Sequence, residues 1–545
     1  MRDHRYSGNG VPVFSLGILV LLILFFTGCN KDKNATSSPV EEDLRVRFNL
    51  QTLPPIPYPP DNPPRQERIA LGKLLFFDPI LSGEKDVACA TCHHPAFAFT
   101  DRRQFPVGVS GVGLGPERLI GVSAVSGQPI ELTPRNAPTV FNTAYNADET
   151  GQPTHQGFQF WDGRVKSLEV QATKPIASRV EMRGDAYPGT DEEATAAALD
   201  SVLNRLRAIP EYVMYFRMAF PEEAAQADSG LRPSVIDSST YARAIAAYER
   251  ELVTVNSPYD RYVKGDDNAL TDVQKKGLEL FFTKAKCAEC HNGPMFSDFR
   301  FVVQGVPQEG PGKAVIPGDD TGREEHTHDP ADRYAFRTPT LRNVELTPPY
   351  MHDGVFETLE EVVRFYNQGC RPRHPAVTDD MIDPVLREPL GLTEEEINAI
   401  VEFMKALTDP GTALPEYLLT VPERVPSGLP PVFGVKAGGA AAPVSPIPVS
   451  EASLSRVSRA SSQKAEQILR RAEQRIQALT EQNRRKIAAI RERVRRSSLA
   501  AQQRAQQTIR RLQEQARRAA ERIRQNARRA AEQVQASSSC TSNSW

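Results

Sequence analysis

A chain of 545 residues is too long for one hydrophobic core, and its composition changes sharply along its length, so several units are expected. It carries 66 Lys and Arg against 68 Asp and Glu, but the near-neutral total of −2 hides a strong asymmetry. Residues 451–545 hold 22 basic and 8 acidic side chains, a net of +14, which leaves 44 against 60, a net of −16, for residues 1–450.

Residues 11–26 are almost continuously apolar, follow a short segment holding Arg2 and Arg5, and end at Phe26-Thr27-Gly28-Cys29. The run is short for a membrane span, which takes about 20 apolar residues, and fits the apolar region of a secretory signal. Residues 1–28 look like a lipoprotein signal with Cys29 as the acylated first mature residue. Phe26 departs from the aliphatic residue usual there, so a plain membrane anchor is the alternative. Either way the rest is expected to be exported; as a lipoprotein it would sit on the periplasmic side of a bacterial membrane, lipid-anchored to that surface through Cys29. A polar tether follows, 29–43.

Two apolar helical runs, Leu71 to Phe77 and Gly277 to Phe282, each lead into a Cys-x-x-Cys-His motif. These are Cys89-Ala90-Thr91-Cys92-His93 and Cys287-Ala288-Glu289-Cys290-His291. In this motif each thiol adds to a haem vinyl group and the adjacent imidazole becomes the proximal iron ligand. Cys89, Cys92, Cys287 and Cys290 therefore attach two haem c groups, His93 and His291 ligate their irons, and the chemistry is redox. A zinc site would want its Cys pairs about 15 to 20 residues apart; these lie 198 apart, Cys89 to Cys287, and each pair has its own His. Cys370 and Cys540 are left over and read as incidental, with a surface thiol or an intermolecular disulfide as the alternative.

Further motifs stand between and after the two. From Arg135 the chain reads RNAPTVFNTAYN, followed by Phe160-Trp161-Asp162-Gly163-Arg164, Ser167-Leu168-Glu169-Val170-Gln171-Ala172 and Val180-Glu181-Met182. Tyr241 to Leu252 has helical periodicity. After the second motif come Arg337-Thr338-Pro339-Thr340-Leu341-Arg342-Asn343 and Leu346 to Gly354, LTPPYMHDG. In this order the motifs resemble the bacterial dihaem cytochrome c peroxidase and MauG family over about residues 65–408. The resemblance implies a mainly α-helical protein with two class I cytochrome c-like domains, a peroxidatic one over 44–256 and an electron-transfer one over 257–410, with the haems facing across the junction.

Cleaving the O–O bond of peroxide at iron needs an open coordination position, a group that moves a proton between the oxygens, and a source of electrons. By resemblance Glu181 is the distal acid-base residue over the first haem, with Gln171 beside it and Pro175 in the same pocket. Without the resemblance, Glu181 reads as the cap of a turn before Met182. Trp161 is by resemblance the relay between the haems, and a Phe-Trp pair is also ordinary core. The family holds a calcium ion at the junction; the corresponding positions are the Asn136 side chain and the carbonyls of Thr347 and Pro349, an all-oxygen set that suits calcium.

Two departures sharpen the expectation. Many dihaem peroxidases place a histidine before the NAPTV-like segment as a sixth ligand of the first haem; between Phe97 and Asn136 this chain has none, so the first haem is expected to rest five-coordinate. His94 adjoins the proximal ligand, and His155 belongs to a following loop. The peroxidases also carry a methionine ligand to the second haem fourteen residues past the HDG histidine, and counting from His352 lands on Tyr366. MauG-like members have a tyrosine there, whose anionic oxygen favours ferric iron, whereas Met raises the potential. Core packing is the other reading of Tyr366.

Residues 411–460 are rich in Pro, Ala and Gly and read as a semi-extended linker. Residues 461–535 contain no Gly or Pro and read as one long Arg-rich helix, with a short tail, 536–545. Ile468, Leu479, Ile490, Ala501, Leu512, Ile523 and Val534 recur every eleven residues, which makes a nearly straight apolar stripe able to pair as a coiled coil. A homo-oligomer through this helix is the first reading of the tail; anionic lipid, another acidic envelope polymer or the acidic domains are the second. Nucleic acid is not expected of an exported protein.

The function expected is reduction of hydrogen peroxide to water with electrons from a small periplasmic cytochrome c or cupredoxin. One alternative is MauG-like, peroxide-dependent oxidation of a protein substrate through a high-valent dihaem state; another is a membrane-tethered electron carrier without catalysis.

Overall fold

The structure, a computed structural model, describes residues 43–308 and 319–431 and, beyond them, only Arg470 and Gln474, both helical. The signal, Cys29, nearly all of the tether, Cys540 and the rest of the eleven-residue repeat lie outside the described residues. The elements that position the site are α1 (Gln66–Phe76), α2 (Leu168–Gln171), α3 (Asp191–Arg207), α4 (Pro210–Ala219), α5 (Ser238–Arg250), α6 (Asp272–Phe282), α7 (Leu359–Asn367), α8 (Glu394–Lys405) and α9 (Glu416–Leu419). Strand is confined, among the described residues, to two antiparallel ribbons: β1 (Phe158–Gln159) with β2 (Val165–Lys166), and β3 (Phe301–Val303) with β4 (Ala335–Arg337), Val302 opposite Phe336.

Five of the helices, α3 and α5–α8, start at reciprocal caps. Thr271 accepts from Gln274 N at 3.3 Å while Gln274 accepts from Thr271 N at 3.0 Å, and Thr393 with Glu396 does the same for α8. Two crossings then build two cores. α1 crosses α5 at Gly72, where an added Cβ would stand 1.9 Å from the carbonyl oxygen of Ala244; α6 crosses α8 at Gly277, where it would stand 1.9 Å from that of Ala399. Each glycine lets two backbones touch in front of a haem-binding motif. The first core collects Leu75, Phe76, Tyr241, Ile245 and Tyr248 with Leu206 of α3 and Phe216 of α4; the second collects Phe281, Phe296, Ile400, Phe403 and Leu407. Gly277→Ala is expected to push α6 off α8 and destabilise the second domain by about 1–3 kcal/mol, read as a lowered thermal midpoint of the holoprotein.

The helical periodicity of Tyr241 to Leu252 corresponds to α5, but this helix is covered all round, with every residue from Thr240 to Arg250 buried. Beside the second core Arg342 donates to both carboxylate oxygens of Asp260, at 2.9 and 3.0 Å, with both side chains buried. Burial raises the Asp260 carboxyl, yet Arg342 and Ser257 outweigh it and hold the group below the usual carboxylate range.

The linker expected from residue 411 does not begin there. Residues 411–431 return to the first domain: Leu418 and Val425 join its core, Tyr248 donates to the carbonyl of Leu418 at 2.7 Å, and Ser427 donates to Asp78 at 2.6 Å. The Pro and Gly content suggested a spacer, but Leu414, Leu418, Leu419, Val421, Val425 and Leu429 give this stretch an apolar side worth burying.

Two candidate haem sites and the junction between them

In the first motif Cys89–Cys92 forms a single helical turn that ends at His93. Nδ1 of His93 lies 3.1 Å from the carbonyl oxygen of Phe99, and Nδ1 of His291 lies 2.9 Å from that of Phe296. A carbonyl only accepts, so Nδ1 carries the proton in both rings and Nε2 keeps the lone pair that a metal takes. Burial lowers both imidazoles against the pull of these carbonyls, which keeps them neutral. Burial also raises all four motif thiols, to about 12 at Cys287 and about 11 at Cys290, and none of the four is in a disulfide. Paired free thiols beside an imidazole with a free Nε2 fit covalently attached haem at both places.

A repeat that the sequence reading passed over builds the floor of each site. Pro138-Thr139-Val140-Phe141-Asn142 and Pro339-Thr340-Leu341-Arg342-Asn343 share the pattern Pro-Thr-x-x-Asn. Thr139 donates to the carbonyl of Ala98 and Thr340 to that of Met295, each at 2.6 Å. The Pro138 and Pro339 carbonyls act on the proximal imidazoles. Asn142 and Asn343 both turn the chain at positive φ, 63° and 62°, and both donate to the Thr254 hydroxyl, at 2.8 and 3.0 Å. Thr254 therefore ties the two floors together.

Glu181 sits in a single π-turn, Arg179–Arg183, a departure from helical geometry that often marks functional positions. Its carboxyl is close enough to Cys89 and Cys92 that its charge raises both thiols. The backbone of Glu181 is fixed by Val109, whose N–H donates to its carbonyl at 2.9 Å. Gly108 permits this contact, since a Cβ there would meet the Val180 carbonyl oxygen at 2.1 Å. Buried Arg118 pins the same loop through the carbonyls of Val107, Gly108 and Gly113 at 2.7, 2.7 and 2.8 Å. Gln171 ends α2, half-buried, and the short helix Lys174–Ala177 with Pro175 leads from it to the π-turn.

Trp161 lies at the seam. Its Nε1 donates to the carbonyl of Asn136 at 3.0 Å, and its own carbonyl accepts from the Arg337 N–H of the second domain at 2.8 Å. The Asn136 N–H donates to the carbonyl of His352 at 2.7 Å, which sets Asn136 beside the turn bearing Thr347 and Pro349. Arg135 holds Asp320 through two bonds of 2.7 Å and also pairs with Asp162. His352 is buried, stacks on Phe336 with centroids 3.8 Å apart, and has no partner on Nε2; burial pushes it down to about 4.

Tyr366 stands in the last turn of α7. Its phenol is raised well above its usual value by burial, reinforced by the charges of Cys370, Cys290 and Cys287. Phe365 lies in a buried cluster with Val306 and Cys370, and Tyr366 packs against the same cluster.

The sequence profile described as di-haem cytochrome c peroxidase matches residues 66–268. The MauG methylamine utilization protein of Methylorubrum extorquens is 34% identical over 384 residues, covering 70% of this chain and 90% of its own. The chain belongs to the dihaem cytochrome c peroxidase and MauG family. The cytochrome c551 peroxidase of Pseudomonas aeruginosa is 38% identical over 301 residues, 55% of this chain and 72% of that one. A crystal structure of a MauG-like protein associated with microbial copper homeostasis superposes with a TM-score of 0.51 at 29% identity, covering 68% of this chain and 96% of that chain. As a member of this peroxidase family the protein is an oxidoreductase with two haem c groups, acting on hydrogen peroxide with electrons from a redox donor. Membership sets aside the reading as an electron carrier without catalysis. None of the described helices is long and apolar enough to cross a membrane.

Proposed function

We propose that this dihaem peroxidase reduces hydrogen peroxide to water at the first haem with electrons passed from a small periplasmic cytochrome c or cupredoxin through the second. The observation that carries the reading is the Glu181 carboxyl directed at the first attachment site from a rigidly held turn. The bound haem supplies an iron coordination position and electrons. With haem held by Cys89, Cys92 and His93, Glu181 would take a proton from one peroxide oxygen and return it to the other. Gln171 orients the peroxide beside it. With two electrons and two further protons the products are two waters. Trp161, bonded to Asn136 on one side and Arg337 on the other, relays electrons between the haems, and the Asn136 side chain with the carbonyls of Thr347 and Pro349 would hold a calcium ion at the same seam. The protein works on the periplasmic side of a bacterial membrane, anchored through Cys29 and clustered by its Arg-rich helix.

The position of Tyr366 favours a second reading, MauG-like oxidation of a protein substrate. An anionic oxygen ligand on the second iron stabilises oxidised states that a thioether does not.

One equivalent of peroxide added to the fully ferric holoprotein and followed by stopped-flow spectroscopy tests both points. An immediate change in both haem spectra is expected, because no histidine blocks the first site and Tyr366 suits oxidised iron. A protein inert until one electron is supplied would mean a hidden sixth ligand and would overturn the assignment of Tyr366.

A further inference from the structure

The loops beneath the two attachment motifs are joined by a polar chain that repeats itself about Thr254. In the first half His93 Nδ1 donates to the Phe99 carbonyl at 3.1 Å. The adjoining Ala98 carbonyl accepts from the Thr139 hydroxyl at 2.6 Å, and that hydroxyl oxygen accepts from the Phe141 N–H at 3.1 Å. Asn142 follows, and its amide clamps Thr254: Oδ1 accepts from the Thr254 N–H at 2.9 Å and Nδ2 donates to the Thr254 hydroxyl oxygen at 2.8 Å. In the second half His291 Nδ1 donates to the Phe296 carbonyl at 2.9 Å, and Thr340 donates to the adjoining Met295 carbonyl at 2.6 Å while accepting from the Arg342 N–H at 3.2 Å. Asn343 then donates to the same Thr254 oxygen at 3.0 Å, and its Oδ1 accepts from the Asp409 N–H at 2.7 Å. A backbone N–H can only donate, so both amides are fixed with their NH2 groups toward the hydroxyl. The Asp409 carboxylate closes the junction by accepting from the Val255 and Asn256 N–H groups at 3.1 and 2.8 Å. Asn142, Thr254, Asn343 and Asp409 are at most 2% exposed.

We propose that Thr254 is a positioning residue that couples the two proximal imidazoles, so that a change of charge at one iron alters the hydrogen bond on the imidazole of the other. When an iron loses an electron it draws density from its imidazole, and the Nδ1–H becomes a stronger donor. The hydrogen bond that orients a metal-bound imidazole also tunes the metal. In a poorly polarisable interior consecutive hydrogen bonds polarise one another, and each member of this chain is hydrogen-bonded or covalently joined to the next. The halves meet at the Thr254 oxygen because a hydroxyl can accept two bonds at one atom. Thr254 acts through the proximal ligands and passes no electron itself, so the bridge stands apart from the relay given to Trp161. The inference rests on haem attachment at the two motifs and is independent of the roles given to Glu181 and Tyr366.

A potentiometric titration of the holoprotein, followed at a wavelength of each haem, gives the factor by which the redox equilibrium of one haem shifts when the other changes state. A factor of about five or more is expected in the natural protein. Thr254→Val keeps the shape of the side chain but removes the shared oxygen, and is expected to lower the factor at least twofold. Thr254→Ser restores the hydroxyl and is expected to return it to the natural value. A structural role alone would lower the thermal midpoint of Thr254→Val and leave the factor as it is, and that result overturns the proposal. Two haems that titrate independently in the natural protein overturn it as well. If Thr254→Val does not retain both haems, electron paramagnetic resonance of the natural holoprotein decides. The haem still ferric after one-electron reduction is expected to show g values shifted from those it has in the fully ferric protein, and identical g values overturn the coupling.

Discussion

Replacing Glu181 by Gln is expected to lower the rate of peroxide turnover by about 10²–10⁴-fold, the usual contribution of a positioned acid-base group, while haem content and both reduction potentials stay near those of the natural protein. The amide keeps the size and hydrogen-bonding shape of the side chain but cannot accept and return the peroxide proton. Its backbone partners, Val109 and the loop held by Arg118, are untouched, so the loss is not a folding defect. Steady-state turnover with an artificial electron donor, together with a stopped-flow measurement of peroxide binding, separates the two steps. If Glu181 only closed a turn, turnover would be unchanged by the amide.

Replacing Tyr366 by Met is expected to raise the reduction potential of the second haem by about 0.1 V or more, since the identity of the axial ligand moves haem potentials across roughly 0.8 V. A phenolate oxygen is hard and anionic and stabilises ferric iron, whereas a thioether is soft and neutral and stabilises ferrous iron. The charges of Cys287 and Cys290 act on the phenol, and Met is flexible enough to occupy the same position on α7. The variant is therefore expected to lose direct reaction with peroxide in the ferric state and to gain it after one-electron reduction. Potentiometry resolves the shift; an unchanged potential removes Tyr366 from the coordination sphere.

The two attachment sites were legible because covalent haem chemistry demands two thiols and an imidazole within one short stretch, which leaves a local signature. The helices α1, α5 and α6 were legible as apolar periodic runs, although periodicity did not reveal that α5 is buried on every side. The return of residues 411–431 to the first core was hidden, because Pro and Gly content resembles a spacer even though Leu414, Leu418, Val421, Val425 and Leu429 recur every three or four positions. The Pro-Thr-x-x-Asn repeat was visible as letters. Its meaning emerged only when Thr254 was seen to receive Asn142 and Asn343.

By itself the sequence determined what is covalent and local: two haem attachments, the absence of a histidine between Phe97 and Asn136, and a tyrosine fourteen residues past His352. Only the tertiary structure decided which polar groups face those attachments. Glu181 and Tyr366 come from a π-turn and the last turn of a helix, and nothing in their immediate neighbours marks where they will lie. What directs them is packing: the glycine crossings at Gly72 and Gly277, the clamp of Arg135 on Asp320 and the loop pinned by Arg118. These contacts join residues tens to hundreds of positions apart, and burial then sets the protonation of the groups they bring together.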